Sequence, residues 1–182
     1  RETIGRKEKS FSQKKTSKKF KFNCAVLDYH SNKNWYQSAL NPLVNWADNM
    51  NFYQEILSVA KKHPDILFTF KSKNYDWFKL EYFKKIKRKL RNQKNIEFFN
   101  MNLKLTNYQF IHNFNFFITK YSSLTDDALM NRKLVMIYEN SIFISGLVEY
   151  DKKIISKNVD ELNQKINLVK SNYNKYNNSL ND

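Results

Sequence analysis

The sequence predicts an α/β domain built on a mainly parallel sheet of five or six strands, with helices covering both faces. Two observations predict this fold class. Short apolar runs alternate with segments of helical periodicity over residues 21–137, as in sheets whose parallel strands are joined by helices. Hydrophobic residues make up 41% of the 182 residues and aromatic residues 16%, so the chain can bury a sizeable core.

Five short apolar runs are predicted to be the strands. In chain order they are FKFNCAVLDY (20–29), DILFTF (65–70), NIEFF (95–99), NFFIT (115–119) and KLVMIY (133–138). Cys24 lies inside the first run and is predicted to be a core residue. As the chain's one cysteine it cannot form an internal disulfide, which fits a reducing compartment.

Two helices are predicted before the third strand. Residues 50–60 carry apolar side chains at helical spacing, and this helix ends before Pro64 because the residue preceding a proline avoids the helical region. Residues 83–90 form a helix with one apolar face. Its other face consists almost entirely of Lys and Arg.

Three more helices are predicted in the second half of the chain. The segments TNYQFIHNF and SLTDDALMN are short helices on either side of the fourth strand. Asn158 and Glu161 form a capping-box pair that starts the last helix. The apolar spacing then continues from Leu162 to Tyr176, which predicts one unbroken helix.

The net charge of +15 is unevenly distributed. Residues 1–22 hold nine Lys or Arg against two Glu and show almost no apolar periodicity, so residues 1–19 are predicted to be a basic flexible linker or tail. Residues 20–182 are predicted to be the folded domain. The bias toward Asn, Lys and Ile is typical of an AT-rich genome, which accounts for part of the lysine excess.

Chemistry-bearing residues are expected just after the strands, because ligands of parallel α/β sheets bind beyond the carboxyl ends of the strands. Ser122 and Ser123 stand between a strand and a helix, where backbone N–H groups and hydroxyls attract phosphate. Lys71 and Lys73, after another strand, could neutralise a diphosphate. Asp127, one turn into the helix, could accept hydrogen bonds from two ribose hydroxyls.

A purely structural interpretation of the serines stays open. Ser123 and Asp126 also make the Ser-x-x-Asp pattern of a capping box. The three histidines, His30, His63 and His112, have no metal-ligand spacing and are expected to be structural. No metal site is predicted.

The segment ITKYSSLTDDALMNRKLVMIYE (118–139) resembles the donor-binding half of GT-B-fold transferases. It is most similar to CDP-glycerol glycerophosphotransferase-like and surface-polysaccharide transferase families, where a strand ends in I-T-D-Y-S-S before a helix with an acidic residue. NFYQEILSVAKKHPDILFTFKSK resembles the preceding helix and strand, so the likeness covers roughly residues 20–175. Lys120 departs from the family pattern, which has an acid there, and residues 131–134 replace its Gly-Lys-Pro.

The resemblance implies a Rossmann-like three-layer domain, one half of a GT-B fold, and a set of donor contacts. The implied residues are Ser122, Ser123, Tyr121, Lys71 and Lys73 for the donor diphosphate, Asp127 or Asp126 for the ribose, and the loop of Asn100, Met101 and Leu103 for the base. No metal and no cofactor are implied. The substrate is a nucleotide-activated donor such as a CDP- or UDP-linked sugar or polyol.

The resemblance also implies partners and a setting. The chain would be the second domain of a glycosyltransferase of cell-surface polysaccharide or capsule biosynthesis, with the catalytic base on an N-terminal GT-B domain of the same protein. The acceptor would be a glycan or a lipid-linked glycan. This places the protein in the cytoplasm or on the cytoplasmic face of the membrane.

The basic residues leave two further interpretations. A nucleic-acid-binding α/β module without catalytic activity is the alternative function, but the aromatic residues lie at core spacing instead of alternating with the basic ones, which argues against nucleic acid. An anionic membrane surface is the other potential partner, and it is compatible with a transferase. No stretch approaches about 18 consecutive apolar residues, so no transmembrane helix is predicted.

Overall fold

The structure is a computed structural model. It describes residues 20–28, 46–72, 75, 79–100, 102–120, 122–139 and 153–181. The predicted basic segment 1–19 lies outside these residues. Within the described ranges, none of the helices is long and apolar enough to cross a membrane.

Six strands form one sheet in which every neighbouring pair is parallel, in the order β3-β2-β1-β4-β5-β6. The strands are β1 (Phe22–Leu27), β2 (Ile66–Lys71), β3 (Ile96–Phe98), β4 (Phe116–Thr119), β5 (Leu134–Tyr138) and β6 (Ile155–Ser156). All five predicted strands are present, and the mainly parallel sheet is confirmed. The two-residue strand β6 was not predicted, because a run so short carries no periodicity.

Six helices are described. They are α1 (Trp46–Lys62), α2 (Lys84–Asn92), α3 (Asn107–His112), α4 (Leu124–Met130), α5 (Val159–Ser171) and α6 (Tyr173–Asn181), with a 3₁₀ turn at Glu81–Phe83 before α2. At the start of α5, the Asn158 side chain accepts a hydrogen bond from the backbone N–H of Glu161, as the capping-box pattern predicted. The Glu161 carboxylate in turn binds the Asn158 side chain and the N–H of Lys157.

The prediction of one unbroken last helix is wrong. The backbone leaves the helical region at Asn172, whose φ is −155° and ψ is 79°. The Asn172 side chain then accepts a hydrogen bond from the N–H of Lys175 at 3.1 Å. Asparagine stabilises such a break because its side chain competes for backbone donors. The apolar spacing hides the break, since Tyr173 and Tyr176 continue the pattern of α5.

The helices form two layers on the sheet, as the three-layer prediction required. Helices α1, α2 and α5 pack on one face, against side chains such as Val26, Phe68 and Met136. Helices α3 and α4 pack on the other face, against Ala25 and Val135. Both faces of the sheet are therefore buried, which explains why the strands are continuous apolar runs.

The order of the strands creates a crevice at one edge of the sheet. From β1 the chain proceeds through β2 to β3 on one side, and it continues through β4 and β5 to β6 on the other. The carboxyl ends of β1 and β4 therefore meet where the direction of the strand order reverses. Ligands of open α/β sheets bind at such a point.

Candidate functional site

A row of polar residues crosses the carboxyl ends of the three central strands. Leu27, the last residue of β1, pairs with Lys71 of β2 on one side and with Thr119 of β4 on the other. The next residue along each strand extends the register to a second row. This row, which we call the edge row, consists of Ser72, Asp28 and Lys120.

The pleat of the sheet directs the two rows to opposite faces. Lys71 and Thr119 point toward α3 and α4, where Thr119 Oγ1 lies 3.0 Å from Thr125 Oγ1. Asp28 and Ser72 point toward α1, where both bind in one cluster with Tyr53. The carboxyl edge of the sheet thus has a different set of polar groups on each face.

Ser122 and Ser123 follow β4 and lie directly before α4. Ser123 has helical dihedral angles (φ −60°, ψ −21°) and makes no side-chain capping hydrogen bond, so the predicted Ser123–Asp126 capping box is absent. Ser122 takes part of that role: its carbonyl accepts from the N–H of Thr125 at 2.9 Å, and its hydroxyl accepts from the N–H of Leu124 at 3.3 Å. In the described part of the chain, the N–H groups of Ser122 and Ser123 have no hydrogen-bond acceptor.

The predicted ribose residues lie on α4. Asp127 is half-buried, and its Oδ2 accepts a hydrogen bond from the Asn107 side chain at 2.8 Å. Asn107 is the first residue of α3, directly after the loop predicted to frame the base. Asp126 is exposed. The structure therefore brings Asp127, rather than Asp126, to the end of the base loop, and the ribose role stays a prediction.

The predicted base loop is a turn that precedes α3. The Asn100 side chain accepts from the N–H of Asn102 at 3.0 Å, and the Asn100 carbonyl accepts from the N–H of Leu103 at 3.0 Å. Leu103 is 37% exposed, so an apolar side chain is available to a flat ligand. The loop ends at Thr106, which forms a capping box with Gln109.

Lys71 is the predicted phosphate-neutralising residue that the structure describes in most detail. Its ammonium lies 5.1 Å from the centroid of the Phe110 ring and 6.0 Å from that of Phe99. Burial lowers the pKa of this lysine, while the charge of Asp28 acts in the opposite direction. Three other predicted site residues, Lys73, Met101 and Tyr121, lie outside the described residues.

Asp28 is a candidate site residue that the sequence reasoning missed. Its carboxyl group is 7% exposed, and its Oδ2 accepts hydrogen bonds from the Tyr53 hydroxyl at 2.5 Å and from the Ser72 hydroxyl. Burial raises the pKa of Asp28 to about 7, although the two hydroxyls, the backbone N–H of Asp28 itself and the charge of Lys71 lower it. The signal in the sequence was an acid directly after the apolar run CAVL, at the edge where ligands bind.

The second oxygen of this carboxyl group, Oδ1, has a different environment from Oδ2. Asp28 Oδ1 is buried and has no hydrogen-bond partner among the described residues. An unpaired buried carboxyl oxygen is costly, so such groups are concentrated at functional sites. The Asp28 cluster, defined here as Asp28, Tyr53 and Ser72, is thus a second polar element at the carboxyl edge of the sheet, on the side of α1.

Lys120 is buried, with 3% of its surface exposed. It stands where the transferase families that the sequence resembles have an acid. Its backbone N–H donates to the carbonyl of Leu27 at 3.2 Å, which continues the β1–β4 ladder past the last paired residues. Lys120 is thus a buried residue that lies next to Asp28 in the edge row.

Two residues expected to be structural are buried. Cys24 is fully buried, and burial raises the pKa of its thiol. His63 is 4% exposed, its Nε2 lies 3.1 Å from Asn163 Oδ1, and burial lowers its pKa. His30 lies outside the described residues, and His112 packs its ring against Tyr108.

No family model and no curated protein match the sequence. Solved structures do match the fold. The C-terminal domain of a glycosyl transferase group 1 family protein, LpcC, from Francisella tularensis aligns with a TM-score of 0.54 at 12% identity, covering 87% of this chain and 79% of that domain. A UDP-GlcNAc 2-epimerase from Neisseria meningitidis, bound to UDP-GlcNAc, aligns with a TM-score of 0.56 at 13% identity.

The alignment with the Neisseria epimerase covers 88% of this chain and 40% of the epimerase. The S. aureus MnaA–UDP complex aligns over the same shares, with a TM-score of 0.56 at 11% identity. The chain thus spans well under half the length of these two proteins. Their likeness shows the fold, which is the Rossmann-like α/β architecture of a GT-B C-terminal domain.

Proposed function

We propose that the chain is the donor-binding domain of a glycosyltransferase, or of a glycerophosphotransferase-like enzyme, in cell-surface polysaccharide biosynthesis. One observation carries the proposal: polar residues follow three neighbouring strands at the carboxyl edge of a GT-B-like sheet, where the strand order reverses. The edge row supplies Ser72, Asp28 and Lys120, and Ser122 and Ser123 follow directly after β4. The neighbouring folds include proteins solved with UDP or UDP-GlcNAc, which supports a nucleotide-linked donor.

Each part of the donor has a proposed set of partners. The N–H groups and hydroxyls of Ser122 and Ser123 bind the diphosphate, with Lys71, Lys73 and Tyr121 around it. Asp127, with Asp126 beside it, holds the ribose. The loop of Asn100, Met101 and Leu103 frames a cytosine or uracil base.

The chemistry of such a site is stabilisation of a leaving nucleotide diphosphate. Preorganised N–H donors and lysines oppose the negative charge that develops as the bond to the transferred group breaks. This requires no metal ion and no cofactor, so we propose a metal-independent transferase. The catalytic base is proposed to lie on another domain of the protein, which also binds the glycan or lipid-linked acceptor on the cytoplasmic side of the membrane.

The double variant Ser122→Ala/Ser123→Ala is expected to bind UDP and CDP more weakly while remaining folded. Each hydrogen bond lost to a charged phosphate is worth about 1.5–3 kcal/mol. The free energy of unfolding should fall by less than about 1 kcal/mol, because Ser123 makes no capping bond and the Ser122 hydroxyl accepts a long one. Nucleotide titrations followed by NMR and thermal melts of both proteins measure the two effects.

The matched control for the serine variant is Ser58→Ala, which removes an exposed hydroxyl from α1. It should leave both nucleotide affinity and melting temperature unchanged. An unaltered affinity in the double variant, together with a lower melting temperature, would mean that the serines only support α4 and that the diphosphate site is misplaced.

The basic face of α2 is proposed to contact an anionic membrane. Six of the nine residues of α2 are Lys or Arg and none is acidic, while Ile86 and Leu90 are buried. A genome-wide bias toward lysine would not explain why this one helix has no acidic residue. Lys85 and Lys89 also border an open cavity of about 280 Å³ whose lining includes Met50 and Ile86. No aromatic ring lies on this helix to stack a base, so phospholipid fits better than nucleic acid.

Replacing three exposed basic residues of α2 by glutamine should weaken binding to anionic vesicles. The variant is Lys85→Gln/Arg88→Gln/Lys89→Gln, and the control is Lys104→Gln/Lys157→Gln/Lys175→Gln elsewhere on the surface. At about 1 kcal/mol per basic residue near the lipid, the α2 variant should lose roughly a hundredfold in affinity for phosphatidylglycerol-containing vesicles. Sedimentation with those vesicles and with pure phosphatidylcholine measures it. Equal losses in both variants, or a selective loss of single-stranded RNA binding instead, would contradict the membrane assignment.

A further inference from the structure

We propose that Asp28 is a ligand-binding residue of the donor site, and that its protonated carboxyl group donates a hydrogen bond from Oδ1 to an oxygen of the donor diphosphate. The inference deepens the proposed function and rests on it, because it takes the same diphosphate as ligand. It adds a residue from β1 to a site otherwise built from β2, β4 and the loops around them.

The hydrogen bonds around Asp28 determine which oxygen carries a proton. The hydroxyls of Tyr53 and Ser72 both donate to Oδ2, so the acceptor positions of that oxygen are occupied. Oδ1 has no partner. A proton on this carboxyl group therefore resides on Oδ1, where it forms a buried O–H donor that has no acceptor until a ligand supplies one.

The surroundings of Asp28 favour this neutral form near neutral pH. The groups that interact with it are Tyr53 from α1 and Lys71, Ser72 and Tyr75 from the end of β2 and beyond. Lys120, after β4, is its neighbour in the edge row. The hydroxyls, the backbone N–H of Asp28 and Lys71 favour the charged form, but burial outweighs them and leaves the pKa at about 7. An approaching diphosphate adds negative charge, which raises the pKa of a carboxyl group further.

Asp28 and the serines lie at the same carboxyl edge of the sheet, after the adjacent strands β1 and β4, although the Asp28 side chain points toward α1. Asp28 stands beside Lys120 in the edge row, Ser122 follows two residues later, and adjacent strands lie about 4.8 Å apart. A charged carboxylate here would repel the phosphates. A neutral carboxylic acid avoids the repulsion and donates a hydrogen bond, as buried acids kept neutral at pH 7 do in other binding sites.

The test measures donor affinity against pH for the wild type, Asp28→Asn and Asp28→Ala. The probes are UDP-N-acetylglucosamine and CDP-glycerol, because a diphosphate esterified at both ends lacks the terminal ionisation that nucleoside diphosphates show at about pH 6. The wild-type Kd should rise by up to tenfold per pH unit above pH 7, as bound protons are lost. Asp28→Asn should bind with little pH dependence, since its amide oxygen can accept from Tyr53 and Ser72 while its N–H replaces the acid. Asp28→Ala should bind about ten- to a hundredfold more weakly at pH 6.

A second measurement follows the proton directly. The ¹³C shift of the Asp28 carboxyl group, titrated with and without saturating donor, should show a higher pKa in the complex. Asp160→Asn, at an exposed site on α5, is the control and should keep the wild-type pH dependence of binding.

The outcomes separate this inference from the proposed function. If the wild type binds donor with a Kd that does not change between pH 6 and pH 9, the inference is overturned while the donor site stands, and the Asp28 cluster is only structural. If the wild type binds neither donor at any pH, the proposed function fails and the inference fails with it. A pH-dependent wild type with a pH-independent Asp28→Asn variant supports both.

Discussion

Replacing Asn95 by alanine is expected to lower the free energy of unfolding by about 3–5 kcal/mol, one of the largest effects of any polar substitution in this chain. Asn95 is 2% exposed and precedes β3. Its side-chain N–H groups are shared among three carbonyl oxygens, those of Ala60 at 2.9 Å, His63 at 3.0 Å and Ile66 at 2.9 Å.

These three carbonyls lie near the end of α1, in the turn that follows it and at the first residue of β2. One side chain thus joins the α1–β2 connection to the start of β3, and it supplies donors that this turn lacks. Removing it takes this donor from the carbonyls of Ala60 and Ile66, at about 1–3 kcal/mol for each carbonyl left unpaired, while the carbonyl of His63 still accepts from the N–H of Ile66. The alanine also leaves a small void, which adds to the loss.

Urea unfolding of Asn95→Ala, Asn95→Asp and Asn92→Ala measures the effect. Asn95→Asp keeps the shape of the side chain but removes its N–H donors, so it should be destabilised as well. Asn92, at the exposed end of α2, is the matched control and should cost less than about 1 kcal/mol. If Asn95→Ala unfolds at the same urea concentration as Asn92→Ala, the three hydrogen bonds contribute little to stability.

The strands could be predicted from the sequence because burial of both faces demands continuous apolar runs. FNCAVL, ILFTFK and LVMIY satisfy that demand over five or six residues, and all three are strands. The break in the last helix could not be predicted, because Tyr173 falls at the helical spacing of α5. The competing effect is local: the side chain of Asn172 binds the N–H of Lys175.

The candidate site could be predicted only where position along the chain determines it. Ser122 and Ser123 follow a strand, so sequence alone places them at the carboxyl edge. The Asp28 cluster joins residues 28, 53 and 72, whose proximity depends on strand order and on the packing of α1. Whether Ser123 caps α4 depends on its dihedral angles, which the Ser-x-x-Asp pattern does not determine.

The free energy of unfolding is expected to fall as the pH rises from about 4 to 7, through Asp28. Its pKa is raised from 3.8 to about 7 in the folded protein by burial. Below pH 3.8 both the folded and the unfolded chain hold the proton, and the carboxyl group costs nothing. Between the two pKa values the unfolded chain releases the proton while the folded chain keeps it, so unfolding becomes progressively easier. Above pH 7 the loss levels off.

The full loss is about 4 kcal/mol, since one unit of pKa difference corresponds to about 1.36 kcal/mol. Asp28→Asn removes the ionisation and keeps the size of the side chain. Its stability should therefore exceed that of the wild type above pH 7, and the difference between the two proteins should shrink or reverse near pH 4. Other ionising groups, such as His63, contribute equally to both proteins and cancel in the difference.

Chemical denaturation of both proteins at intervals from pH 4 to pH 9 gives the difference curve. Asp126→Asn, which removes a carboxylate from an exposed position on α4, controls for the loss of one negative charge from a basic protein. A stability difference between Asp28→Asn and the wild type that stays constant over this range would show that Asp28 titrates at the same pH in the folded and unfolded chains. A difference that grows by several kcal/mol toward pH 7 would show that the folded protein holds a proton on this carboxyl group. The free energy of unfolding of the wild type is then lowered by this ionisation, and the neutral side chain of Asp28→Asn avoids that loss.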